Sequence, residues 1–103
     1  VELHEINLKL INLPGEIATK ERELELAKIE VKKIEAKALI EVVSAPSQDI
    51  RKACVDKNND VVQVREKEGI LRAEYHGLIN SFQGIQELAR NMRSEMRSLQ
   101  DGL

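Results

Sequence analysis

Two runs of apolar residues at alternating spacings of three and four dominate the chain. The first is Leu3, Ile6, Leu10, Leu13, Ile17, Leu24, Ala27, Val31, Ile34 and Ala38, broken only at Lys20. The second is Val61, Val64, Leu71, Tyr75, Leu78, Phe82, Ile85, Ala89, Met92, Met96 and Leu99, broken only at Glu68. A period of 3.5 lays each run along one side of a helix, as in a coiled-coil seam. At 1.5 Å per residue both rods would be about 60 Å long, and the matched lengths predict an antiparallel pair. The expected fold is therefore all-α: an elongated antiparallel helical hairpin, coiled-coil-like, forming one domain over 1–103.

Local signals set the boundaries. Pro14 removes a backbone hydrogen bond and crowds the carbonyl four residues back, which predicts a kink or a fresh helix start at Leu13. The first rod, 1–43, is thus expected as a short helix, a bend near Pro14 and a long helix to about Val43, with Glu16 at the positive end of the latter. Residues Ile6 to Leu10 also alternate like a strand, so 1–12 stay open between the two states. Pro46 and Ser47 end the rod. Ser47 is expected to cap a short corner helix over 47–57, with Asp49 in its first turn and Ile50 and Cys54 on its inner face. Asn58-Asn59-Asp60 then interrupts it, and Asp60 is expected to cap a second rod over 60–100. Gly69, Gly77 and Gly84 each cost about 1 kcal/mol relative to Ala in a helix, so packing must hold that rod. Read this way, the segment from Ser44 to Val62 is a corner that requires no chemistry.

Composition narrows the function. The chain is 42% hydrophobic and 33% charged, with one Phe, one Tyr and no Trp, a balance that suits long helices and argues against a β-sandwich. A formal charge of -2 gives no global basic field, so any nucleic-acid contact must be local. Cys54 is the only cysteine and reads as a small buried hydrophobe in a reducing cytosol. With His4 and His76 it offers no zinc spacing. No apolar run is long enough for a membrane span, and no signal peptide is visible. Neither a glycine-rich phosphate loop nor a catalytic constellation is present, so no enzyme activity, cofactor, metal or small-molecule substrate is expected.

Each rod carries a second, weaker apolar row: Leu26, Ile29, Ala36, Ile40 and Val43 on the first, Val62, Ile70, Ala73, Ile79 and Leu88 on the second. A two-helix hairpin buries one stripe per helix, so Leu26, Ile29, Ile40, Val43, Val62, Ile70, Ile79 and Leu88 are candidate contacts in a homo-oligomer. Met92 and Met96, both on the seam, read as core rather than as an adaptable binding surface. Two basic clusters are candidates for phosphate contact. Arg90, Arg93 and Arg97 form a ridge at i, i+3 and i+7, with Glu87 and Glu95 close by. Lys28, Lys32, Lys33 and Lys37 stand among Glu30 and Glu35, and pairs from Glu30 to Lys33 and from Lys32 to Glu35 would balance part of their charge.

The stretches "KIEVKKIEAKALIEV", "IRKACVDKNNDV", "LRAEYHGLINSF" and "IQELARNMRSEMRSL" occur in an order that resembles a set of small all-helical phage and prophage accessory proteins. Those proteins are associated with recombination and replication gene modules. In them a charged first helix leads to a short turn helix, an Asp-containing break and a long last helix; "NMRSEM" is the most specific shared word. A more distant similarity is to the recombination mediators of large lytic phages, from which this chain departs in lacking a net basic charge. The resemblance implies a phage or prophage accessory protein in the bacterial host cytoplasm, partnered by single-stranded DNA or a recombination protein. A structural or adaptor coiled coil, binding another protein and no nucleic acid, is the competing expectation.

Overall fold

The computed structural model describes residues 2–102. Three helices account for nearly all of them: α1 (Glu2–Glu41), α2 (Gln48–Lys57) and α3 (Asn59–Asp101). No strand occurs among the described residues, so Ile6 to Leu10 is helical despite its alternation. Over so few residues, two-fold alternation is outweighed by the 3,4 spacing that continues from Leu3 through Leu13.

α1 and α3 lie antiparallel along most of their length, with α2 across the corner. The molecule spans 80 × 21 × 14 Å, and its radius of gyration is 22.6 Å, against about 13 Å for a compact chain of this length. It is a rod two helices wide. The seam residues meet where their spacing places them. Ile6, Leu24, Ala27, Val31 and Ala38 of α1 are buried against α3, which contributes Val61 and Ala89. The other seam residues are half-buried from Leu3 to Met92, as a single stripe between two helices requires.

Between α1 and α3, two ion pairs and one longer contact report the register. Arg65 Nη2 donates to Glu35 Oε2 at 2.6 Å, and Lys20 Nζ donates to Glu74 Oε2 at 2.8 Å. Lys67 lies 4.0 Å from Glu30. Lys20, the break in the first seam, thus keeps its charge by reaching across the edge of the seam to α3. Glu74 and then Glu23 raise its pKa above the ordinary 10.5. A raised lysine pKa stabilises the fold below its unfolded value and stops doing so only as pH climbs through the folded value, so this pair holds throughout the neutral range. Glu68, the break in the second seam, is paired within α3 to Arg72.

The corner departs from expectation in its details. Ser47 caps α2 as expected, its Oγ accepting from Ile50 N at 3.2 Å. The cap of α3 is Asn58 rather than Asp60: Asn58 Oδ1 accepts from Asp60 N at 2.9 Å and from Val61 N at 3.3 Å. Asn58 has extended backbone geometry while Asp60 already lies inside the helix, where its carboxylate suits the positive end. The inner face of α2 is Val55, not Ile50 and Cys54, which are both exposed. Val55 packs with Ala38 and Val61, and Ile34 and Val42 close the cluster. A ten-residue helix lying across two others reaches them along a narrow line, and that line passes through Val55.

Pro14 lies inside a continuous α1, so the fresh helix start does not occur. The proline is exposed, and α1 continues through it without the one backbone hydrogen bond that a proline nitrogen cannot donate. One residue later Thr19 Oγ1 donates to Gly15 O at 3.0 Å, a local bond within the turn after the proline.

Stability should follow these contacts. A Cβ added at Gly77 or Gly84 meets nothing within 4 Å. Gly77→Ala should therefore raise stability by about 0.5–1 kcal/mol in urea denaturation. Val61→Ala, which hollows the corner at its one fully buried side chain, should lower it by about 2 kcal/mol. No change in either variant would mean that helix propensity and the corner cluster do not limit folding.

Candidate functional site

The two basic clusters stand at opposite ends of the rod. The register set by Lys20 and Glu74 brings the first turns of α1 level with Arg90 and Arg93. The lysine cluster instead lies level with the first turns of α3, where Glu35 meets Arg65. About 40 Å of helix separates them, so they cannot form one site within a single chain.

Within the lysine cluster the expected pairs of Glu30 with Lys33 and Lys32 with Glu35 do not form. Glu35 is taken by Arg65, and Glu30 points toward Lys67 of α3, because cross-helix partners lie closer than those one turn along. Lys28 pairs with Glu25 at 3.2 Å, while Lys32, Lys33 and Lys37 have no ion-pair partner among the described residues. These three free lysines point in different directions. At about 100° per residue Lys33 lies on the outer face of α1, and Lys32 and Lys37 lie on opposite flanks. They make no common anion site.

The arginines of α3 divide sharply. Arg65 bonds Glu35 of α1 and Asp56 of α2, the latter at 2.9 Å, and so ties all three helices together. Glu35, then Asp56, hold its pKa above the ordinary value. Arg72 is paired with Glu68. Arg90, Arg93 and Arg97 are exposed and have no ion-pair partner among the described residues. They share one flank of the far end, with Gln83 and Gln86 on the same side and Glu87 and Glu95 turned away by about a quarter-turn or more. The ridge is an accessible row of guanidinium groups, suited to phosphate oxygens or carboxylates.

The apolar candidates also divide. Val43 is exposed in the turn just past Glu41, where α1 ends short of the expected Val43, and Leu26, Ile29 and Ile40 are exposed on α1 itself, with Ala36 completing the row. Their spacing of three and four keeps them on one face, opposite the seam. On α3, Val62, Ile70 and Leu88 are exposed and Ile79 is half-buried. Ile70 and Leu88 point the same way, with Val62 within about a quarter-turn of them, whereas Ile79 points about half a turn away from both. The α1 row is closely spaced, whereas the α3 row is sparser and Ile79 stands off its face.

Met92 is half-buried on the seam, whereas Met96 and Leu99 are exposed. The register places Glu2 roughly opposite Met92, so the last turns of α3 lie beyond the described part of α1. Sequence reasoning missed the corner cleft. This open hollow of about 420 Å³ lies between α1, α2 and Arg65, floored by Ala36, Leu39 and Val55 and edged by Gln48, Lys52 and Asp56. Most of its charge is already spent in the Arg65 ion pairs, and no run of local residues announced it. Comparison of the chain with family models, with curated proteins and with solved structures finds no match. No described helix is long and apolar enough to cross a membrane.

The thiol offers a direct check of the corner. Cys54 stands on the exposed side of α2, so it should react with a chromogenic disulfide in the native state about as fast as in urea. Protection of tenfold or more would show that α2 is turned the other way.

Proposed function

We propose that the chain is a non-enzymatic helical accessory protein that self-associates and contacts single-stranded DNA through the arginine end of the rod, in the phage or prophage recombination setting that its resemblance implies. The observation that supports this reading is the different treatment of arginines along α3: Arg65 and Arg72 are committed to carboxylates, while Arg90, Arg93 and Arg97 are left open on one flank. Open guanidinium groups at a helical spacing meet successive phosphates without base-specific contacts. Tyr75 and Phe82 are half-buried on the seam and cannot serve as stacking platforms, so such contact would be electrostatic.

A second reading, an adaptor that binds protein and no nucleic acid, is favoured by the net charge of -2 and by the apolar outer face of α1. Fluorescence anisotropy with a labelled single-stranded oligonucleotide, run across a salt series, separates the two. Three phosphate contacts should give a log–log salt slope of about -2, and the Arg90→Gln, Arg93→Gln, Arg97→Gln triple variant should lose most of it with its helix content unchanged. Absence of binding by the unaltered protein at low salt would reject DNA contact and leave the adaptor.

A further inference from the structure

We propose that the outer face of α1 is a self-complementary docking surface on which a second copy of the chain seats antiparallel, about a two-fold axis between Lys33 and Ala36. This specifies the surface behind the self-association proposed above and rests on that reading. The row is Leu26, Ile29, Lys33, Ala36 and Ile40 on α1, continued by Val43 in the turn just past its end, with spacings of 3, 4, 3, 4 and 3. That order reads the same in both directions. Antiparallel pairing therefore sets Leu26 against Val43, Ile29 against Ile40 and Lys33 against Ala36, and the two-fold repeats each layer. Ala36 leaves room for the stem of Lys33 to lie across the contact while its ammonium reaches water. Leu26, Ile40 and Val43 are each more than 60% exposed, and α3 lies on the opposite side of α1, while α2 flanks the face across the open hollow beside Ala36.

The flanking charges choose the orientation. In the antiparallel arrangement Glu30 of one copy meets Lys37 of the second, and the symmetry makes this pair twice. In a parallel arrangement of the same row, Glu25 would meet Glu30 of the second copy, Lys32 would meet Lys37, and Lys33 would face its own equivalent. Every flanking pair would then repel. Lys37 has no ion-pair partner within the described chain, and Glu30 has only the 4.0 Å approach of Lys67. Both are available to a second copy. The row is about 26 Å long and one helix wide, less than the roughly 800 Å² per partner of a standard interface, so the dimer should dissociate in the micromolar range.

Sedimentation equilibrium under reducing conditions, which prevent linkage through exposed Cys54, tests the surface. The unaltered chain should form a dimer, and Ile40→Glu should be monomeric with unchanged circular dichroism, because Ile40 is 72% exposed in the single hairpin. Lys37→Glu should weaken the dimer about tenfold, since one substitution creates two like-charged contacts. Adding Glu30→Lys to it should restore most of the affinity. A dimer that survives Ile40→Glu, or a double variant no tighter than Lys37→Glu alone, would overturn the proposed face while leaving self-association intact. A chain that stays monomeric at all concentrations would overturn both.

Discussion

A seam only one layer deep governs this protein. Two helices side by side can shield one stripe each, and the space between them takes alanine and branched aliphatic side chains but does not enclose an aromatic ring. Ala27, Ala38 and Ala89 are buried, whereas Tyr75 and Phe82 remain half-exposed along the same line. Each layer thus removes little apolar surface from water, and stability has to accumulate along the length of the rod. The extended shape is the direct outcome, because shortening either helix would forfeit layers that nothing else replaces.

A repeating seam has a weakness that the corner corrects. Sliding one helix by a heptad would again set apolar residues against apolar residues, so the repeat alone does not choose a register. Features that occur once along the chain make the choice. Val55 meets Ala38 and Val61 at the turn, Arg65 joins Glu35 and Asp56, and Lys20 reaches Glu74 halfway along. Each exposed ion pair contributes little energy, but their positions penalise every slipped alternative. Asn58 and Ser47 fix where the helices begin, which fixes the phase of both rods against the corner.

Much of this was legible in the residues. The 3,4 spacing located both seams, and nearly every position in them is buried or half-buried from Leu3 to Met92. What the spacing could not supply was the relative rotation of short elements and the partners of charged ones. Cys54 and Ile50 fit an inner face by number, yet α2 turns Val55 inward, because the orientation of a ten-residue helix is decided by the surface it meets. Glu30 and Glu35 appeared committed to lysines on their own helix until the register brought Lys67 and Arg65 near. Pro14 was expected to kink or restart the helix, and α1 runs through it without a break, because the seam on either side of it packs on the same partner helix. Within the α3 apolar row, Ile79 turns away from the face that Ile70 and Leu88 share, a difference of angle that a list of members does not display. The arginine ridge was located by spacing alone, while its lack of an ion-pair partner among the described residues needed the structure.

The cross-helix contacts also carry information about time. The chain separating their members grows steadily from the corner outward: 9 residues between Asp56 and Arg65, 30 between Glu35 and Arg65, 54 between Lys20 and Glu74. Closing a loop costs more entropy as the loop lengthens, but once the turn has formed, each further layer closes only the few residues beyond the last. The least costly route to the folded hairpin therefore starts at Asn58 and zips toward the free ends, and opening follows the same track in reverse. The end that bears Arg90, Arg93 and Arg97 is the last to close and the first to part.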